Sequence, residues 1–343
     1  MVIESPNIVK RPEVSVVVLT YNQECYISQC IDAILSQRVD FDYEIIISDD
    51  CSQDNTIQIC KNYQEIYPQK VKLLLQEQNR GVARNFGDAI ALARGTYVCS
   101  MGGDDFWILE TKLQLQKEYL DTHPKCGLCY TNINICNANG EILHQRFLDA
   151  KNKPNSFEEH LLAKGFIAPL TWMYRRNMVN LYDIEGAFTD ESFGFALEIF
   201  ANSEIDYIDV VSANYREISG TLSRPNSVQK WYKQYLGVFR TQQYYCDKYK
   251  VNDTFRHKVF FKGYIELLYY AIICEDLTFK QEAISYCNEL DCDMTFYMRI
   301  CEEKQQVEFK LYKIRQSYAY RLGKIILKPF SWLRKIFMKK YDN

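Results

Sequence analysis

Two pairs of adjacent aspartates, Asp49-Asp50 and Asp104-Asp105, each follow a short apolar run in this 343-residue chain. Asp49-Asp50 comes after Ile45-Ile46-Ile47-Ser48, and Asp104-Asp105 sits on a Gly102-Gly103 turn after residues 96–100. Neighbouring carboxylates repel each other unless a cation or strong donors lie close by. Hard oxygen ligands of this kind suit Mg²⁺ or Mn²⁺, which keep open positions for phosphate oxygens. Each pair also has a plainer reading. Asp49 to Asp54, with Ser52 and Thr56, supplies ordinary caps for a following helix, and Asp104-Asp105 fits a solvated turn with Phe106-Trp107 packed behind it. The chemical reading gains weight if both pairs end strands of one sheet.

The elements that must position them alternate. Short β-branched runs at 14–20, 44–48, 71–75 and 96–100 predict strands, and longer amphipathic runs at 26–37, 56–67, 83–93 and 108–121 predict helices. Such alternation gives an α/β fold, a mostly parallel sheet wrapped by helices on both faces. Ligands then bind at the carboxyl ends of the strands, where Tyr21-Asn22, Asp49-Asp50 and Asp104-Asp105 stand. Residues 137–164, with turns at Asn139-Gly140 and Lys153-Pro154-Asn155, read as a loose excursion over the site. Strands resume near 170–174 and 207–214 around a helix at 194–202, and the pattern is helical from Val228 onward. The expected division is an α/β domain over 1–227 and a helical region over 228–343.

Composition excludes several classes. With 47% hydrophobic and 25% charged residues, and 26 Tyr and 19 Phe against 14 Gly and 8 Pro, the chain is globular with a sizeable core. The net charge of -3 conceals a split: residues 1–220 carry 19 Lys/Arg against 31 Asp/Glu, a net -12, which leaves +9 for residues 221–343. An acidic front half argues against a nucleic acid partner. Thirteen scattered Cys, without a secretory signal at the start, predict reduced thiols and a cytoplasmic protein. His123, Cys126 and Cys129 have the spacing of half a zinc site or a redox pair, but the segment 127–133 reads better as a buried strand. No apolar run approaches the roughly 18 residues of a spanning helix. Residues 321–340 interleave seven Lys/Arg with Trp332, Phe330, Phe337 and aliphatic residues and hold no acid. That pattern predicts an interfacial helix, kinked at Pro329, in peripheral contact with anionic membrane; a helix docked on the catalytic domain is the alternative.

Neither a G-x-G-x-x-G after the first strand nor a G-x-x-x-x-G-K-S/T is present, so a nucleotide would have to bind through strand-end acids and a metal. Four segments in order, Val14 to Asn22, Ile45 to Thr56, Asn79 to Asn85 and Gly103-Asp104-Asp105, resemble glycosyltransferase family 2. The resemblance implies the GT-A fold, a Rossmann-like sheet binding a nucleotide sugar, and an inverting, metal-dependent transferase of the kind that builds bacterial surface polysaccharide. It implies that Thr20, Tyr21, Asn22 and Glu24 line the nucleotide pocket, that Asp50 hydrogen-bonds the base with Arg84 beside it, that Asp104 lies near the donor sugar or ribose and that Asp105 binds Mn²⁺ or Mg²⁺. Cys51 stands where the family usually has Gly, so the turn there is expected to differ in its backbone angles.

The segment Phe188 to Leu197 resembles the family's later acidic motif, which makes Asp190 the expected general base and Glu191 its alternative. A helix N-terminus also favours acids by itself. In a single displacement the base takes the proton of an acceptor hydroxyl while a cation stabilises the departing diphosphate. Arg216, as a substitute phosphate contact in a closing loop, and Trp172 with Met173, facing the acceptor, are further candidates, with a merely exposed arginine and core packing as the respective alternatives; Ile218 replaces the family's His near Arg216. The expected partners are a nucleotide-sugar donor, UDP-linked, carrying a hexosyl or N-acetylhexosaminyl group, and a saccharide or lipid-linked saccharide acceptor. The competing readings are a catalytically silent sugar-nucleotide-binding or scaffold protein and a nucleotidyltransferase, the latter disfavoured by Thr20 to Glu24 in place of a Gly-rich phosphate loop.

Overall fold

The computed structural model describes residues 1–149, 153–163, 167–181, 191–218 and 227–289. The chain divides into two compact units, Met1–Val259 and Phe260–Asn343. Along the first unit run β1 (Val2–Ile3), β2 (Val14–Thr20), α1 (Ile27–Leu35), β3 (Tyr43–Asp49), α2 (Thr56–Ile66), β4 (Val71–Leu75), α3 (Val82–Ile90) and β5 (Tyr97–Gly102). There follow β6 (Phe106–Trp107), α4 (Lys112–Thr122), β7 (Cys126–Cys136), β8 (Ile142–His144), α5 (Phe157–Ala163), β9 (Met173–Arg175), α6 (Glu191–Asn202), β10 (Glu204–Arg216) and α7 (Val228–Lys248). Next comes α8 (Asp253–Ile273), and α9 (Leu277–Glu289) belongs to the second unit, where the Tyr264 ring packs against Phe279 and Tyr286.

The strands form one sheet in the order β1-β4-β3-β2-β5-β9-β7-β10-β6, with β8 on β7. β4, β3, β2 and β5 are mutually parallel, and so are β7 and β10, while β9 runs antiparallel between β5 and β7. The strands are apolar on both sides because both sides are covered. Val16, Val18, Ile45, Ile47, Leu73 and Leu75 face one core with Ile27, Ile31, Ile34 and Leu113 of α1 and α4. Val17, Ile46 and Leu74 face the other with Phe86, Ala89 and Ile90 of α3 and Phe195 and Ile199 of α6. The expected α/β fold, a mostly parallel sheet with helices on both faces and further helices after it, is the observed one.

Two expectations from sequence change. In place of a strand over 170–174 there is a single 3-10 turn, Pro169–Thr171, before β9, because Pro169 lacks the N–H a ladder needs and Thr171 Oγ1 donates back to Ala168 O at 2.8 Å. The described part of 137–164, residues 137–149 and 153–163, is more ordered than expected. It holds β8 and α5, the latter opened by Ser156, whose Oγ accepts from Glu159 N at 3.1 Å. Within the first unit α7 is fixed by side chains: Gln242 Nε2 donates to Leu161 O at 2.6 Å, and buried Glu198 of α6 takes Lys248 and the Tyr249 hydroxyl.

Cys126 and Cys129 lie buried in β7, where burial pushes the Cys126 thiol up to about 12, as expected of a strand and opposite to what a redox thiol needs. Among the described residues no helix is long and apolar enough to cross a membrane. Residues 321–340 lie outside the described residues.

At the amino ends of the strands, Glu44 is fully buried and gathers an ionic cluster. Its Oε1 accepts from Ser15 Oγ at 2.7 Å and Arg94 N at 2.9 Å; its Oε2 accepts from Arg94 Nη2 at 2.7 Å and from buried Lys72 Nζ at 3.1 Å. Burial pushes the Glu44 carboxyl up, but the Ser15 and Arg94 hydrogen bonds and the Lys72 charge outweigh it and leave it below its ordinary value.

His160 of α5 is also fully buried, against the Phe193 and Phe200 rings, and neither ring nitrogen has a hydrogen-bond partner among the described residues. Burial alone pushes its pKa down to about 3. The unfolded chain, with a His pKa of about 6.5, therefore binds the extra proton, and stability falls as pH drops below that value. Between pH 6.5 and 5 the loss is about 2 kcal/mol. His160→Phe is expected to flatten this slope. Unfolding midpoints at pH 7 and pH 5 test it; equal losses in variant and wild type refute it.

Candidate active site

β2 lies between β3 and β5, and its carboxyl end carries the two acidic turns on either side. Asp50 N donates to Thr20 O at 3.0 Å, and Gly103 N donates to Leu19 O at 2.8 Å. With strands about 4.8 Å apart, the ends of β3 and β5 stand about 10 Å from each other. Thr20, Asp50, Asp104 and Asp105, distant in sequence, share this edge.

The loop after β2 is bound to the loop after β3 through side chains that the sequence reading placed on the nucleotide. Asn22, at a left-handed φ of 53°, donates its N–H to Ser52 Oγ at 2.9 Å and accepts from Gln53 N through Oδ1 at 2.7 Å. Gln23 N donates to Thr56 Oγ1 at 2.8 Å, Glu24 N donates to Asp54 at 3.1 Å, and Glu24 Oε2 accepts from Asn55 N at 2.8 Å. Asn22 and Glu24 thus hold the loop, whereas the Tyr21 ring is exposed on it.

The two acids after β3 differ in use. Asp49 accepts from both Ser52 N at 2.8 Å and Ser52 Oγ at 2.5 Å, closing the turn ahead of α2. Asp50, buried, takes Arg80 N at 2.8 Å and Gly81 N at 3.0 Å, anchoring the loop that leads into α3. Arg84, exposed in the first turns of α3, is brought to the same corner. Cys51 has a φ of 69°, so the turn keeps a left-handed backbone at the position where glycine was expected, and the thiol is tolerated there.

Gly103 permits the second turn. A Cβ there would meet Gln23 Oε1 at 2.6 Å and Ile27 Cδ1 at 2.7 Å. Asp105 Oδ1 accepts from Arg216 N at 2.8 Å, and the Gln23 side chain hydrogen-bonds Asp104. Burial and then the Asp104 charge push the Asp105 carboxyl well above its usual range; burial raises Asp104 as well. A divalent cation fits this donor set. Two mutually repelling carboxylates stand beside the oxygens Thr20 Oγ1 and Gln23 Oε1, which are buried without hydrogen-bond partners among the described residues. Among those residues no group of three or more His, Cys, Asp or Glu is assembled for a metal, so such an ion would complete its shell from ligand oxygens or water.

Two expected contacts are engaged by protein groups. Trp172, 2% exposed, follows the 3-10 turn and packs in the core against Phe195 with its indole N–H donated to Ile167 O, which is the packing alternative to an acceptor contact. Arg216, 4% exposed, is bonded to protein carbonyls. Asp190 lies outside the described residues, and Glu191 is the first residue of α6, its side chain likewise outside. Gln23, the residue the sequence reading missed, had a signal in lying one position past Asn22 at a strand end.

Residues 15–182 match the family described as glycosyl transferase family 2. An uncharacterised protein of Mycobacterium tuberculosis is 36% identical over 167 residues, 47% of this chain and 46% of that protein, so the chain spans about half the length of this relative. The putative teichuronic acid biosynthesis glycosyltransferase TuaG of Bacillus subtilis is 27% identical over 215 residues, 62% of this chain and 82% of TuaG. Among solved structures, Staphylococcus aureus TarS 1-349 in complex with UDP aligns at a TM-score of 0.53 and 20% identity, over 76% of this chain and 71% of that one. The mannosyltransferase PcManGT of Pyrobaculum calidifontis, in complex with GDP-Man and Mn²⁺, aligns at 0.54 and 14% identity, over 94% of this chain and 86% of that one. These structural likenesses carry the fold, and residues 15–182 of this chain belong to glycosyl transferase family 2.

Proposed function

We propose that the protein is an inverting glycosyltransferase that moves a hexosyl or N-acetylhexosaminyl group from a UDP-linked sugar to a hydroxyl of a growing cell-surface glycan or lipid-linked saccharide. The observation that carries this reading is the arrival of Asp50 and Asp104-Asp105 on the two flanks of Thr20 at one sheet edge. TarS bound to UDP and PcManGT bound to GDP-Man and Mn²⁺ support a nucleotide-sugar donor and a divalent ion on this fold.

In this reading Asp50 accepts from the base, with Tyr21 and Arg84 around it. Asp105, with Asp104 beside it, holds Mn²⁺ or Mg²⁺, which when bound neutralises diphosphate charge as a Lewis acid. Asp190, or Glu191 next to it, takes the proton from the acceptor hydroxyl as it attacks the anomeric carbon from the face opposite the leaving group, and one displacement inverts the centre. Gly103 and the paired loops keep the donor edge in place.

A panel of UDP-, dTDP- and GDP-sugars, with and without Mn²⁺, tests it by nucleoside diphosphate release. The expected result is Mn²⁺-dependent release from a UDP-sugar in the presence of acceptor, lost in Asp190→Asn. Full activity of Asp190→Asn moves the base to Glu191, and no release from any donor with a range of acceptors favours the silent binding protein. For a lipid-linked acceptor, residues 321–340 provide the peripheral membrane contact at the inner face of the cell membrane. Truncation after Tyr320 is then expected to release the protein from anionic liposomes, and an unchanged partition refutes the contact.

A further inference from the structure

We propose that Arg216 is a positioning residue that locks the Asp104-Asp105 turn and leaves Asp105 Oδ2 as the carboxylate oxygen available to a cation; this rests on the metal reading given above. Arg216 ends β10, the strand next to β7, and joins four elements. Its backbone N donates to Asp105 Oδ1 at 2.8 Å and its Nε to Asp104 O at 2.8 Å. Nη1 donates to Ala138 O, in the turn between β7 and β8, at 2.8 Å, and Nη2 donates to Gln29 Oε1 of α1 at 2.6 Å. The guanidinium carbon lies 4.7 Å from the Tyr26 ring centre and 5.1 Å from that of Phe106.

A guanidinium so enclosed loses most of its water, and the fixed fork of donors together with two aromatic faces replaces it. What it orders is the turn itself. The Asp104 carbonyl accepts from the guanidinium and one Asp105 carboxylate oxygen accepts from the main-chain N–H, so neither the Asp104 peptide nor the Asp105 carboxylate can turn without breaking a bond to Arg216. Among the described residues no hydrogen bond reaches Asp105 Oδ2. A ligand carboxylate with one oxygen committed to an N–H presents the other in a fixed direction, and removal of such outer partners typically weakens metal affinity by 10–100-fold. Arg216 therefore acts on the cation site through Asp104 and Asp105, without touching donor or acceptor.

The test is Mn²⁺ binding to the full chain without donor, read from the electron paramagnetic resonance signal of the free ion. Wild type is expected to bind, and Asp105→Asn to lose binding. Arg216→Met keeps an apolar stem between the two rings and the main-chain N–H on Asp105 Oδ1, and removes the guanidinium donors to Asp104 O, Ala138 O and Gln29 Oε1, so the turn loses its clamp and Mn²⁺ is expected to bind about 10–100-fold more weakly while the circular dichroism stays native. Glu44→Gln, which loosens the fold at the far ends of the strands, is expected to leave Mn²⁺ affinity unchanged. Wild-type affinity in Arg216→Met, alongside loss in Asp105→Asn, overturns the positioning role alone. Absence of binding in wild type, or unchanged binding in Asp105→Asn, overturns the metal reading and the positioning role with it. If Arg216→Met fails to fold, Gln29→Met removes one acceptor of the clamp and leaves the turn intact: weakened Mn²⁺ binding supports the proposal and unchanged affinity overturns it.

Discussion

Asp105→Asn is expected to lower sugar transfer by about 10³-fold, equivalent to about 4 kcal/mol of lost transition-state stabilisation, while the protein folds as well as before. The two halves of this result have one physical origin. Asp105 is 6% exposed, and burial and the neighbouring Asp104 charge already push its carboxyl well above the usual range. Replacing it by a neutral amide removes a repulsion that folding must otherwise overcome, and the Asn Oδ1 can still accept from Arg216 N. The melting midpoint without metal should therefore equal or exceed that of wild type. Added Mn²⁺ should raise the wild-type midpoint only, because a ion bound to the native state stabilises it by mass action. Nucleoside diphosphate release and paired melting curves measure both. Undiminished transfer by the variant would take Asp105 out of the site.

Glu44→Ala is expected to have the largest effect on stability, about 3–5 kcal/mol, since it strands Lys72, 2% exposed, as a buried charge without its closest carboxylate. The pH dependence follows from the direction of the Glu44 shift. Its folded pKa lies below the unfolded value, so the stabilisation is present above the unfolded carboxyl pKa and disappears as pH falls through the folded one. Urea midpoints of wild type and variant should differ most near neutrality and converge in acid. A midpoint at pH 7 that moves by less than about 0.5 kcal/mol in stability would place the cluster among ion pairs of little energetic consequence.

The fold could be read from sequence where local periodicity and burial agree. β2 and β4 have the expected bounds because runs such as Val14 to Thr20 are β-branched and buried on both faces. The reading failed where tertiary partners decide. β8 is exposed and has no alternation of its own, so only pairing to β7 makes it a strand. For α5 a local signal does exist, the Ser156-x-x-Glu159 capping pattern, next to the turn-forming Lys153-Pro154. At the candidate site, the placement of Asp50, Asp104 and Asp105 on one sheet edge was legible because residues that end neighbouring parallel strands share an edge. The work of Asn22, Glu24 and Arg216 was not, since a polar side chain near a ligand edge has the same composition whether it contacts ligand or holds a loop. Arg216 in particular needed the 112-residue separation to Asp104 to be closed before its acceptors could be known.

The Glu44 cluster and the acidic turns occupy opposite ends of the same strands. Along β3, Glu44 and Asp50 are six residues apart, about 20 Å of extended chain. Perturbations that distant generally add without interaction. If Asp50 and Tyr21 contact the donor as proposed, variation around them retunes which donor is accepted while the anchoring of the sheet stays constant, so selection can explore one rim without eroding the other.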